Sequence, residues 1–183
     1  MLRSLAPELE DELEYGVAQR PRIRVRYVKG AYGEFEIESF DPSPPPSGTI
    51  LLTGFPFGGS NPTAAHRAII ARVAAAAVGR MSSIASTLYC VVVDVQGHED
   101  EVGDPGNFGV VGLERAKKVM LLLVAQLRTR VAGLPAASRR GVIINVSTAG
   151  PARPIRSNVT EQGRAMNRRV EIRVSVAPCG PIA

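Results

Sequence analysis

Residues 91–116 constrain the fold most, because an apolar run passes abruptly into charged and glycine-rich residues and then into a helical pattern. The stretch reads VVVDVQGHEDEVGDPGNFGVVGLERA. This pattern indicates a strand, a loop and a helix in succession, a common place for a binding site. Asp100 lies in the loop and Arg115 lies in the first helical turns. An acid and a base at this spacing, beside a helix N-terminus, could hold the ammonium and carboxylate groups of one zwitterionic ligand.

Further hydrophobic patterns predict the remaining strands and helices. The predicted strands are 49–57, 84–95, 141–147 and 169–176, and the predicted helices are 64–78 and 108–131. The continuous apolar content of 84–95 indicates a strand buried on both faces. Strict alternation over 169–176 indicates one buried face. This order predicts an α/β (α+β) fold, βαβαβ(β), in which two helices cover a mixed sheet.

Residues 20–40 predict an N-terminal β-hairpin that turns near Gly30. Apolar residues alternate with three arginines before the turn and with three glutamates after it. Antiparallel pairing would place these opposite charges across from each other. Because an isolated hairpin is marginally stable in water, we expect it to add to the main sheet or to dock on a partner protein.

A proline-rich segment separates this hairpin from the rest of the chain. Residues 41–48 read DPSPPPSG and have no helix or strand potential, as expected of a stiff linker. We therefore expect an acidic N-terminal extension, 1–48, and a main domain, 49–183. A length of 183 residues suits one domain with a real core plus such an appendage.

Composition and charge limit the classes of function. No apolar run approaches the roughly 20 residues needed to cross a bilayer. The net charge is +5, and the basic residues concentrate from residue 128 onward. Such a surface either binds anionic partners or only keeps the protein hydrated. The chain has only five Phe and four Tyr, and few of them lie among these arginines, so nucleic acid is not an expected partner.

Two separate motifs resemble the signature of OmpA-like C-terminal domains. The first is GHED at 97–100 with RA at 115–116, and the second is GRAMNRRVEI at 163–172. The resemblance covers roughly 49–176, and two motifs that agree in order and distance are more specific than either alone. It implies the βαβαβ two-layer sandwich of that family and non-covalent binding of peptidoglycan. By the same resemblance, Asp100 and Arg115 clasp the amino and carboxyl ends of diaminopimelate in the stem peptide.

The resemblance also suggests further peptidoglycan-binding residues, which are His98, Glu99, Asn107 and Arg168. Glu99 stands where the family usually has Thr, and its charge could repel a carboxylate of the stem peptide. Phe108 stands where the family has Asn, so Asn107 provides the missing hydrogen bond only if it takes that place. We expect Arg164 and Asn167 to stabilise the turn into the last strand, and Arg168 or Arg169 to line the cleft.

Other kinds of site receive less support from the sequence. A metal site at His98 with nearby aspartates lacks the ligand sets typical of zinc or calcium. The sequence shows no nucleophile elbow, Walker loop or dinucleotide fingerprint, so we expect neither an enzyme nor a cofactor. Cys90 and Cys179 are too few for a disulfide framework, and the sequence leaves open whether they pair.

The leading hypothesis is therefore a non-catalytic peptidoglycan-binding module that anchors to the cell wall. The alternative is an OmpA-like fold used for protein–protein assembly, with Asp100 and Arg115 as an internal ion pair and a partner bound through the hairpin. The resemblance implies the cell envelope or periplasm. No signal peptide is visible, because the N-terminus turns acidic before an apolar core forms, and a cytoplasmic or non-classically exported protein is the alternative.

Overall fold

The computed structural model describes residues 23–28, 42 and 44–179. Over these residues it has five strands and three helices. The strands are β1 Ile23–Tyr27, β2 Ile50–Leu52, β3 Tyr89–His98, β4 Val142–Gly150 and β5 Val170–Pro178. The helices are α1 Ala64–Ser83, α2 Val110–Ala132 and α3 Glu161–Asn167, and short 3₁₀ turns occupy Pro105–Asn107 and Ala136–Ser138.

The strands form one mixed sheet in the order β1-β4-β3-β5-β2. The strands β1, β4 and β3 run parallel, whereas β5 is antiparallel to β3 and to β2. The crossover through α2 explains the parallel pair β3 and β4, since parallel strands need a long connection. The predicted α+β class with a mixed sheet is confirmed.

Three details of the predicted elements were wrong. The first core strand was expected over 49–57, but the observed strand β2 has only the three residues Ile50–Leu52 and lies at the sheet edge. The helix α3 was missed, because seven residues capped by Thr160 are too short to show a helical period. β3 buries only one face fully, since its alternate residues Val92, Asp94 and Gln96 are half-buried.

β1 comes from the predicted N-terminal extension and lies at the edge of the sheet. It pairs in parallel with β4, from Ile23 opposite Val142 to Tyr27 opposite Val146. The expectation that this segment adds to the main sheet is confirmed for β1. The predicted second strand of the hairpin, with its glutamates, lies outside the described residues, and the domain boundary in the linker stays a prediction.

The core lies between the sheet and the two long helices. Apolar residues of β3, β4 and β5 pack there against one face of α1 and of α2; the most buried include Ile70, Val73, Val93, Ala116, Leu123, Leu127, Ile144 and Ile172. His66, in the first turn of α1, is a buried polar side chain that is only 4% exposed. It completes a capping box with Thr63, and its Nε2 lies 2.7 Å from the carbonyl oxygen of Thr53.

The two ends of the sheet differ in what they carry. β3 and β4 finish at one end, where the loops 53–62, 99–109 and 151–160 meet; we call it the site end. At the opposite end, which we call the base, α1 and α2 finish, and a disulfide joins Cys90 to Cys179.

In the part of the chain described, no helix combines the length and apolar character needed to cross a membrane.

Candidate functional site

Gly97 brings the end of β3 against the start of α2. A Cβ at Gly97 would overlap the carbonyl oxygen of Gly112, so only glycine permits this approach. The close contact fixes where the first turns of α2 lie relative to the loop 99–109. Arg115, one turn further along α2, is therefore held next to the end of β3. The glycine that opens the first motif thus has a packing reason.

Glu99 caps the N-terminus of α2 from the neighbouring loop. Its carboxylate accepts hydrogen bonds from the backbone nitrogens of Gly109, at 3.0 Å, and Gly112, at 2.6 Å. The N-cap residue Gly109 has a φ of 91° and no side chain to do this itself. A carboxylate here satisfies free N–H groups and lies at the positive end of the helix dipole. The negative charge of Glu99, which was predicted to repel a ligand carboxylate, is thus stabilised by the start of α2.

Asp100 is bound by the second motif rather than by Arg115. It is 4% exposed, and its Oδ2 accepts a 2.6 Å hydrogen bond from Nη1 of Arg168. Its Oδ1 accepts from the backbone nitrogen of Val102 at 3.2 Å. Arg168 lies 68 residues away in the sequence, which is why local spacing did not reveal the pair.

Arg168 connects three parts of the site end. Besides Asp100, it donates to the carbonyl oxygen of Phe55 at 2.9 Å and to Oε1 of Glu161 at 2.6 Å. Burial acts to lower the pKa of Arg168, but the bonds to Glu161 and Asp100 more than offset it and raise the pKa above its ordinary value. The same bond from Arg168 lowers the pKa of Glu161, whose side chain is 63% exposed.

Arg115 is buried and bound by carbonyl groups. It is 1% exposed, and its Nε, Nη1 and Nη2 donate to the carbonyl oxygens of Gly59, His98 and Pro56 at 2.8, 2.8 and 3.2 Å. Burial lowers its pKa to about 10, while the nearby charges of Glu99 and Asp100 act to raise it. Arg115 therefore remains charged at neutral pH. Asp100 and Arg115 are thus brought to the same end of the sheet, each with other primary partners.

His98 lies beneath the site with its ring buried. It is 1% exposed, and its Nε2 is 3.5 Å from Oε1 of Glu171. The two atoms do not form a hydrogen bond at this distance and orientation. Burial, and then the charges of Arg169 and Arg153, lower the pKa of His98 well below its ordinary value, so the ring is neutral. Its carbonyl, rather than its ring, contacts Arg115. Within residues 23–28 and 44–179, no group of three or more His, Cys, Asp or Glu could hold a metal ion.

Asn107 remains within its own short turn. Its Nδ2 donates to Oδ2 of Asp104 at 3.0 Å, and the side chain is exposed. Phe108, at the position where the family has Asn, is buried instead. The structure therefore places Asn107 outside the network formed by Asp100, Arg115 and Arg168.

The turn before β5 has the structure predicted from the second motif. Oδ1 of Asn167 accepts from the backbone nitrogens of Ile155 and Arg156, and Nη1 of Arg164 donates to the carbonyl oxygen of Asn158. Arg169 is buried and bonds to Glu171 through Nε and Nη2, at 2.8 and 2.6 Å. Arg168 is thus the arginine that reaches the site, and Arg169 anchors the strand beneath it.

A cavity of about 430 Å³ lies beside α3. Its lining consists of Arg156, Ser157, Thr160, Gln162, Gly163 and Met166. None of the predicted peptidoglycan-binding residues lines this cavity. The cavity and the network of Asp100, Arg115 and Arg168 are therefore separate features of the site end.

The two motifs that carry the family resemblance meet in space. Asp100 of the first binds Arg168 of the second, across 68 residues of chain. An outer-membrane lipoprotein of Pseudomonas aeruginosa, YfiB, is 35% identical over 95 residues, which is 50% of this chain and 50% of that protein. The resemblance to OmpA-like C-terminal domains is confirmed. The chain spans about half the length of this curated relative, and no protein-family model matches.

Solved structures with a similar arrangement are also known. The C-terminal domain of Helicobacter pylori MotB has a TM-score of 0.49 and 20% identity, covering 69% of this chain and 84% of that one. The peptidoglycan-associated lipoprotein of Burkholderia pseudomallei has a TM-score of 0.49 and 19% identity, covering 67% of this chain and 88% of that one.

Proposed function

We propose that this chain is a non-catalytic peptidoglycan-binding module that anchors to the cell wall through the diaminopimelate of the stem peptide. The observation that carries the proposal is the placement of Asp100 and Arg115 at one end of the sheet, where neither neutralises the other directly. An acid and a base held this way match a ligand that has both an ammonium and a carboxylate group.

Asp100 keeps hydrogen-bonding capacity for an ammonium group. An ionised carboxylate has about four acceptor positions. The contacts with Val102 and Arg168 use one position on each oxygen. The ammonium group of diaminopimelate would take a remaining position on Asp100, and binding would require part of the contact with Arg168 to open, because Asp100 is nearly buried.

Arg115 keeps capacity for a carboxylate. A guanidinium has five N–H donors, and the carbonyl oxygens of Gly59, His98 and Pro56 take three of them. Among the described residues, these carbonyl groups are the direct partners of Arg115, and no carboxylate contacts it directly. In a buried setting such a charge attracts an anion more strongly than it would in water.

Two observations support a place in the cell envelope. The relative from Pseudomonas aeruginosa is named as an outer-membrane lipoprotein. The disulfide between Cys90 and Cys179 is a bond that persists mainly in oxidising compartments such as the periplasm.

Calorimetric titration with two muropeptides tests the proposal. One carries diaminopimelate, and the other carries lysine, which lacks the side-chain carboxylate. We expect saturable binding of the diaminopimelate form, about tenfold or more weaker binding of the lysine form, and loss of binding in Asp100→Asn. Glu114→Gln is the matched control, since it removes a carboxylate on α2 that pairs with Lys117.

A second candidate is a module for protein assembly that does not bind peptidoglycan. The near-complete burial of Asp100, Arg115 and Arg168, with protein partners for each, favours it. Folded wild-type protein that binds neither muropeptide, together with a lower melting temperature of Asp100→Asn, would support this candidate and contradict the wall-anchor proposal.

A further inference from the structure

The loop between β2 and α1 carries an exposed aromatic side chain at the site end. Phe57 is 64% exposed, whereas Phe55, two residues earlier, is 1% exposed and packs in the core. A single exposed apolar residue is ordinary on a protein surface and by itself indicates no function. Phe57 differs from such residues because its backbone is held firmly, and because the groups that hold it belong to the proposed site.

The backbone around Phe57 forms a tight turn. The nitrogen of Gly59 donates a 3.0 Å hydrogen bond to the carbonyl oxygen of Pro56, so Phe57 and Gly58 are the two central residues of the turn. Gly58 has a φ of 64°, and a positive φ at the second central position is typical of a type II turn and favours glycine. Phe57 therefore projects from a turn of defined shape.

Both arginines of the charged network contact this turn. Arg168 donates to the carbonyl oxygen two residues before Phe57, at 2.9 Å. Arg115 donates to the carbonyl oxygens of Pro56 and Gly59, at 3.2 and 2.8 Å. The two guanidinium groups thus hold the backbone on either side of Phe57. An exposed aromatic residue is fixed next to the acid and bases that are proposed to bind the stem peptide.

A second exposed apolar side chain adjoins the same network from another loop. Val102 is 47% exposed, and its backbone nitrogen donates to Oδ1 of Asp100 at 3.2 Å. Apolar surface thus borders the charged groups on two of the loops that meet at the site end. A ligand that matches this arrangement has charged groups and, next to them, a face made of C–H groups.

We propose that the ring of Phe57 is a platform for a sugar ring of the glycan strand, next to the stem peptide bound by Asp100 and Arg115. This inference rests on the proposed function and adds the sugar as a second part of the ligand. The face of an aromatic ring is negative, and one face of a pyranose ring presents C–H groups with a slight positive charge. The two faces attract each other, and their contact removes apolar area from water.

The length of the stem peptide is compatible with this placement. Two residues separate diaminopimelate from the sugar that carries the peptide, and this part of the ligand spans about 7–10 Å when extended. Pro56, whose carbonyl oxygen binds Arg115, is only one Cα step of about 3.8 Å from Phe57. One muropeptide can therefore contact Arg115 and Phe57 together. The fixed turn also limits the entropy lost on binding.

Calorimetric titration with and without the sugars tests the proposal. A free stem peptide that contains diaminopimelate is compared with the same peptide attached to its disaccharide. We expect wild type to bind the disaccharide form about tenfold more tightly. Phe57→Ala should remove this difference and leave the affinity for the free peptide unchanged. Phe57→Trp should keep the difference, whereas Phe57→Leu, which has apolar bulk but no aromatic face, should lose most of it.

Two substitutions serve as matched controls. Val159→Ala truncates an apolar side chain that is 86% exposed on another loop of the site end. Tyr89→Ala removes an exposed aromatic ring from the base. Neither should change the difference in affinity between the two ligands. Melting temperatures close to that of wild type are expected for the Phe57 variants, because the side chain is exposed.

The outcomes separate this inference from the proposed function. Equal affinity of wild type for the two ligands, or a difference that persists in Phe57→Ala, would overturn the sugar platform and leave stem-peptide binding in place. Equal weakening of both ligands in Phe57→Ala would overturn it too, because the ring would then contact the peptide. If folded wild type bound neither ligand, both proposals would be wrong. Asp100→Asn should weaken both ligands and so reports on the stem peptide alone.

Discussion

The charged side chains of the site end illustrate what can be foreseen for single residues. Asp100 and Arg115 were predicted to lie together, because a loop and the helix that follows it are local neighbours. The partner of Asp100 is Arg168, 68 residues away, and no local pattern could reveal that contact. The one available signal was the second motif, in which either Arg168 or Arg169 was expected to line the cleft. The fold decided between them, since only Arg168 reaches Asp100.

The buried ring of His98 makes the stability of the protein depend on pH. Its pKa is lowered well below the ordinary value by burial, so the folded protein keeps the ring neutral where the unfolded chain becomes protonated. Stability from this depressed pKa is present above the unfolded value, near 6.5, and falls as the pH drops below it. We expect the melting temperature to fall between about pH 6.5 and 5, and to fall less in His98→Phe.

The slope of melting temperature against pH, compared between the two proteins, checks this prediction. Identical slopes would mean that other groups cause the acid sensitivity. A melting temperature of His98→Phe far below that of wild type at neutral pH would show only that the larger ring does not fit, so His98→Gln serves as the second variant.

At the level of elements, the long periodic segments were predictable and the short ones were not. α1 and α2 have 20 and 23 residues, enough for several turns of amphipathic pattern. α3 has seven residues and depends on tertiary contacts, because Asn167 and Arg164 tie it to the preceding loop. The start of α2 is similar, since its cap comes from Glu99 in a different element.

We predict that Glu99→Gln destabilises the protein by about 1–2 kcal/mol, because the N-terminus of α2 loses a charged cap. Denaturant unfolding measures the change, and Glu101→Gln, an exposed neighbour, is the control and should change stability little. If Glu99 also repels the stem peptide, muropeptide affinity rises in Glu99→Gln; unchanged affinity would mean that its charge is used at the helix alone.

Across the whole molecule, one disulfide links distant parts of the chain covalently. Cys90 and Cys179 close a loop with a sequence separation of 89 residues. A loop of this length is expected to stabilise the folded state by up to about 4–5 kcal/mol, chiefly by restricting the unfolded chain. The bond joins the beginning of β3 to the residue that follows β5, so it fastens two neighbouring strands together at the base.

We therefore predict that reductant lowers the denaturant midpoint of wild type and has no effect on Cys179→Ser. A count of free thiols before and after reduction is the accompanying measurement. Two free thiols in the untreated, folded protein would contradict the prediction and would also remove one support for an oxidising compartment.

The long helices, the strand–loop–helix unit and the motifs that resemble OmpA-like domains could all be recognised in the sequence alone. These features depend on neighbouring residues, whose periodicity survives without the rest of the fold. Three contacts could be known only from the folded structure: β1 pairs with β4, Glu99 caps α2, and Asp100 binds Arg168. Those contacts join residues far apart in the chain, or side chains with several possible partners. Only the packed arrangement of sheet and helices selects among them.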